Sequence, residues 1–107
     1  MNLETLNPRV GVIDIEKQDT KYDKPKMYNV VLLNDDFTPA FFVVFVLNEV
    51  FNLNLQHASQ LMITTHRNGK GIVGTYTKDV AESKVAKAEN YAKENGHPLK
   101  FDIEEAK

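Results

Sequence analysis

Tyr28-Asn29-Val30-Val31-Leu32-Leu33-Asn34-Asp35-Asp36-Phe37-Thr38-Pro39 is where the chain changes character. With Met27 in front, the run up to Leu33 is mostly β-branched and apolar, and Asn34-Asp35-Asp36 is a turn-forming triplet. A strand over Met27–Leu33, central in its sheet, with a stop directly after it is therefore expected. Thr38 offers an N-cap hydroxyl, Pro39 suits the first helical position, and Phe37 and Phe42 stand at the spacing of a hydrophobic staple. A helix should then run from Pro39 to about Phe51. Stepping about 100° per residue gathers Phe42, Val43, Val46, Leu47 and Val50 into one core-facing arc and leaves Phe41 and Phe45 together on the other side. Two aromatics grouped on a surface mark a contact site, with the tail or another subunit as occupants, or a cluster that pairs within itself.

Downstream, Asn54 can cap a second helix whose Leu55, Ala58, Leu61, Met62 and Thr65 recur with helical period, ending near Asn68 where Gly69 suits a left-handed residue. Gly71–Tyr76 reads as a short strand. Thr77 caps a third helix that carries Ala81, Val85, Ala88, Tyr91 and Ala92 and ends at Gly96. After Pro98, Leu99, Phe101 and Ile103 alternate with Lys100, Asp102 and Glu104, the period of a half-buried strand. The expected fold class is α+β: a small sandwich of a three-stranded antiparallel sheet and three helices in the order β-α-α-β-α-β.

Upstream, residues 1–25 mix charges, Asn, Thr and two prolines. They read as a flexible N-terminal extension, able when stretched to reach roughly 80–90 Å, attached to one folded domain over residues 26–107. The length of 107 residues leaves room for one core only.

Composition removes several function classes. Thirteen basic residues against fifteen acidic ones give a net charge of -2 with no basic stripe, so a nucleic-acid partner is not expected. The absence of cysteine excludes disulfides, thiol nucleophiles and thiolate zinc sites, with reducing cytoplasm as the default compartment. The longest apolar run, Phe41 to Leu47, falls far short of the ~20 residues of a membrane span, and the N-terminus lacks a signal-type apolar stretch. No membrane partner, metal or cofactor is expected.

The polar groups bordering these apolar elements are Asn34, Asp35, Asp36, Thr38 and His66. Three readings of them stand side by side. They are structural, turning the chain, capping a helix and decorating a helix end. They are an acid–base pair, although no nucleophile spacing, phosphate loop or HExxH pattern accompanies them. Or they hold a small cation: carboxylates, an amide oxygen and a neutral imidazole can accept the N–H donors of an ammonium, with Val43, Met62 and Leu99 lining an apolar hole beside it. A polypeptide's first residue, with its charged α-amino group and adjacent side chain, has that chemistry.

The segment Tyr28–Pro39, Gln60-Leu61-Met62 with His66, Gly69-Lys70-Gly71, Val80-Ala81-Glu82-Ser83-Lys84 and His97-Pro98-Leu99 closely resemble the ClpS adaptors of bacteria, from residue 26 to about 104. The resemblance implies a non-enzymatic adaptor of the N-end rule pathway. Such an adaptor binds proteins beginning with Phe, Tyr, Trp or Leu and delivers them to the Clp ATPase-protease. It assigns the α-amino group to Asn34, Asp35 and His66. The side-chain pocket falls to Asp36, Thr38, Ala40, Val43, Met62, Thr65, His66 and Leu99, and docking of the ATPase's N-terminal domain to Asp79 and Lys84. The extension is implied in delivery.

Three departures stand out. Ala40 replaces the family's usual Met, which widens the pocket and points to acceptance of Ile or Val. Thr65 replaces a commonly apolar residue and is expected to add a hydroxyl to the rim. Phe41 and Phe45 replace polar residues. The rival reading is an interaction domain of the same fold, like the ribosomal stalk C-terminal domain, that delivers no such substrates.

Overall fold

The computed structural model describes residues 24–107, so the extension expected over residues 1–25 lies outside the described residues apart from Lys24 and Pro25. Among the described residues six elements follow one another: β1 (Met27–Leu33), α1 (Ala40–Phe51), α2 (Leu55–Asn68), β2 (Lys70–Thr77), α3 (Lys78–Glu94) and β3 (Phe101–Glu105). The expected order and class are those observed, and the sheet runs β2-β1-β3 with both pairings antiparallel.

β1 is central because it alone supplies a continuous buried run, Val30-Val31-Leu32. Its register against β2 shifts between Val30, opposite Gly74, and Val31, opposite Ile72, so Val73 is the extra residue of a bulge. Val30 and Leu32, two positions apart and so on one face, pack with Val73 and Phe101 of the flanking strands. Over them lie Val46, Leu47 and Val50 of α1, Ala58 and Leu61 of α2, and Ala81, Val85, Ala88 and Ala92 of α3. Phe51 belongs to this core as well, its ring 5.3 Å from that of Phe101.

The start of α1 differs from expectation. Pro39 is the N-cap residue rather than the first helical one, with extended ψ of 143° and no side-chain cap. The Thr38 hydroxyl donates to Asp35 Oδ2 at 2.9 Å instead of capping the helix. The Phe37–Phe42 staple does not form either: Phe37 is 82% exposed, whereas Phe42 is buried against the rings of Tyr91 and His97. At the third helix Thr77 occupies the N-cap position, again without a side-chain bond.

The far end of α1 has no basic residue of its own. Lys84 of α3 supplies one, donating from Nζ to the Val50 carbonyl at 3.1 Å and lying 5.6 Å from the Tyr76 ring centroid. A cation at a helix C-terminus offsets the dipole and an unpaired carbonyl, and an aromatic face adds to it. Burial pushes the Tyr76 phenol above its ordinary value of 10.0. Lys84→Ala is expected to lower stability by about 1 kcal/mol, read as a shift of the denaturation midpoint.

Candidate functional site

The strand–turn–helix segment, the end of α2 and the approach to β3 converge on one cavity of about 210 Å³. Two backbone bonds hold these pieces in place. Asn34 N–H donates to the Gly69 carbonyl at 3.0 Å, which draws the turn after β1 against the end of α2, and Leu33 N–H donates to the Lys100 carbonyl at 3.2 Å. Gly69 adopts φ 92°, where a side chain would be strained, and its own N–H closes α2 onto the Thr65 carbonyl at 2.8 Å. His66, in the last turn of α2, thereby lines the same cavity as Asn34.

Asp35 organises the mouth. Its Oδ1 accepts from the backbone N–H of Phe37 at 2.9 Å and of Thr38 at 2.7 Å, and its Oδ2 accepts the Thr38 hydroxyl at 2.9 Å. A carboxylate has about four acceptor sites. Three are spent on the loop, which leaves one on Oδ2. Asn34 and His66 are exposed and Asp35 half-buried, so a free acceptor site, an amide oxygen and an imidazole stand around the same opening.

The residues expected in the pocket, Asp36, Thr38, Ala40, Val43, Met62, Thr65, His66 and Leu99, all line this cavity. Asp36 and Ala40 are exposed at the mouth; Thr38, Val43, Thr65 and Leu99 are buried and Met62 is half-buried. Leu32 and Leu33 also line it and were not anticipated. Their signal was position, at the end of a strand leading into the turn. Engineered apolar cavities of about 150 Å³ admit benzene, so a phenyl-sized side chain fits here.

Thr65 corrects an expectation. Its hydroxyl does not add to the rim: Oγ1 is fully buried and has no hydrogen-bond partner among the described residues. It lies over the bare α-carbon of Gly71, where a Cβ would come within 2.6 Å of Oγ1 and 2.9 Å of Leu61 Cδ1. Thr65→Val should therefore raise stability by about 1 kcal/mol by removing an unpaired polar group. Gly71→Ala should lower it by about 1–3 kcal/mol through overpacking. Denaturant titration of the two variants checks both signs.

Asp79 and Lys84 do not form one stripe. Five residues along α3 separate them by roughly 140°, Asp79 is exposed in the first turn, and Lys84 is half-buried at its bond to Val50. Phe41 and Phe45 also part company. Phe45 packs 5.6 Å from Tyr91 and 6.4 Å from Phe42, ring to ring, while Phe41 is 74% exposed with no ring partner among the described residues. Among the described residues no group of acids and histidines could hold a metal ion, and no helix is long and apolar enough to cross a membrane.

The family model described as ATP-dependent Clp protease adaptor protein ClpS matches residues 23–102. The chain belongs to the ClpS family. Among its relatives, the ATP-dependent Clp protease adapter protein ClpS of Paraburkholderia xenovorans is 48% identical over 92 residues, 86% of this chain and 88% of that one. The ClpS of Burkholderia mallei is 47% identical over the same shares. The structure of Agrobacterium tumefaciens ClpS2 bound to L-phenylalaninamide superimposes with a TM-score of 0.76 at 42% identity, covering 78% of this chain and all of that one.

Proposed function

We propose that this ClpS-family chain is a cytoplasmic, non-enzymatic adaptor that recognises the first residue of a polypeptide. The free α-amino group is held by Asn34, Asp35 and His66, and a bulky Phe, Tyr, Trp or Leu side chain enters the cavity. The bound protein is then delivered to the Clp ATPase-protease, whose N-terminal domain docks at the exposed Asp79, with Lys84 contributing by holding the end of α1. No cofactor takes part. The observation that carries this reading is the pairing of one free carboxylate acceptor site with a cavity of phenyl size whose apolar walls include Leu32, Val43, Met62 and Leu99. The ligand of the Agrobacterium relative supports it, because phenylalaninamide offers an α-amino group, a benzyl side chain and an amide where a chain would continue.

Selectivity for the amino terminus follows from desolvation. An acetylated terminus brings no positive charge and fewer donors, so acceptors at the mouth are left unpaired, about 1–3 kcal/mol for each. Fluorescence anisotropy of labelled peptides beginning with Phe, Leu, Trp, Tyr, Ile, Val or Arg, each free and acetylated, tests the reading. Free Phe and Leu peptides should bind and acetylation should weaken them at least about a hundredfold. Equal binding of free and acetylated forms would sink it.

A further inference from the structure

Two phenylalanines that neighbour cavity-lining residues along the chain are left unexplained by the core. Phe37 is 82% exposed and Phe41 74%, in a loop and helix start where Asp36, Thr38 and Ala40 line the cavity. The exposure of Phe37 is imposed by ordered structure: its N–H is held by Asp35 Oδ1 at 2.9 Å, and the next residue is tied to the same carboxylate twice. Phe41 lies in the first turn of α1, directly after Ala40, whose small side chain stands at the mouth.

We infer that Phe37 and Phe41 form an apolar lip that reads the second residue of the bound polypeptide. The inference rests on the amino-terminal reading proposed above. If the first side chain fills the cavity and its α-amino group meets Asp35, the rest of the polypeptide leaves through the mouth. Its second α-carbon lies only about 3.8 Å from the first. The second side chain thus emerges where the surface is made of rim residues, and their chain neighbours there are aromatic. An aliphatic or aromatic second residue removes apolar area from water on both partners, whereas a small polar one does not. The occupant is the continuation of the polypeptide already in the cavity, which makes the lip continuous with the site. Phe45 is outside this role, since its ring is already packed against Phe42 and Tyr91.

Anisotropy titration of free-amino peptides beginning Phe-Leu and Phe-Ser, otherwise identical, tests the lip. The unmodified protein should bind Phe-Leu roughly five- to tenfold more tightly, and the Phe37→Ala/Phe41→Ala variant should show a ratio below about twofold. Phe45→Ala should keep the ratio of the unmodified protein. Tight binding of both peptides with a ratio near one, or a preference that survives the double substitution, overturns the lip while leaving the amino-terminal reading intact. Binding of neither peptide overturns both. A concentration-dependent dimer in ultracentrifugation that the double variant abolishes would assign the rings to a second copy of the chain instead.

Discussion

Asp35→Ala is expected to weaken binding of a free Phe-ended peptide roughly 30- to 150-fold and to lower stability by about 1–2 kcal/mol. Both effects come from one carboxylate. Three of its acceptor sites hold the loop through Phe37 N–H, Thr38 N–H and the Thr38 hydroxyl, and the fourth is left free on a residue that lines the cavity. Alanine removes the partner of the incoming ammonium and the frame that presents Phe37 and the cavity wall at Thr38. The two losses separate in Asp35→Asn. An amide oxygen still accepts the two backbone N–H groups, so the loop keeps most of its order, while the neutral amide offers no charge and turns donors toward the Thr38 hydroxyl. Asp35→Asn should therefore stay within about 1 kcal/mol of the unmodified stability yet show most of the binding deficit seen with alanine. Anisotropy and denaturant titration on the same preparations read both quantities. Full binding in a folded Asp35→Asn protein would remove the carboxylate from amino-group recognition.

That dual role also explains what was legible in the sequence. The first strand, the turn and the three helices were readable because their causes are local: a β-branched run, an acidic turn and apolar residues at helical spacing. Thr38 was misread for a local reason too. Its hydroxyl could serve a helix N–H or the carboxylate three residues earlier, and a hydrogen bond to an ionised acceptor is the stronger of the two. Other features depend on residues far along the chain. The Lys84 ammonium reaches the Val50 carbonyl across 34 positions, and the burial of the Thr65 hydroxyl depends on Gly71 of the neighbouring strand. No periodicity within one helix announces such contacts. The cavity residues were named through likeness to a family whose motifs they match. Residue types alone left the same groups open to a structural reading and could not select the cation-binding one.

Ala40→Met is expected to weaken binding of an Ile-ended peptide about ten- to a hundredfold while changing a Phe-ended one by less than about threefold. Ala40 is exposed at the mouth, whereas Val43, Thr65 and Leu99 lie buried deeper in the cavity. A side chain entering from the mouth passes Ala40 with its β-carbon region and meets the deeper residues with its tip. Isoleucine and valine carry their bulk at the β-carbon, so they need width at the opening, while phenylalanine is narrow there and wide further in. Methionine would fill that opening with a flexible chain that can yield to an unbranched side chain but has nowhere to go against a branched one. Helix stability is not expected to change measurably, because Ala and Met are both strong helix formers. Competition binding of Ile-, Val-, Leu- and Phe-ended peptides to the two proteins checks the prediction. An Ile deficit of a hundredfold or more already present with Ala40 would mean that the width at the mouth is set elsewhere. The constraint would then lie with Thr38, Met62 or the main chain of the turn, the remaining walls of the same opening.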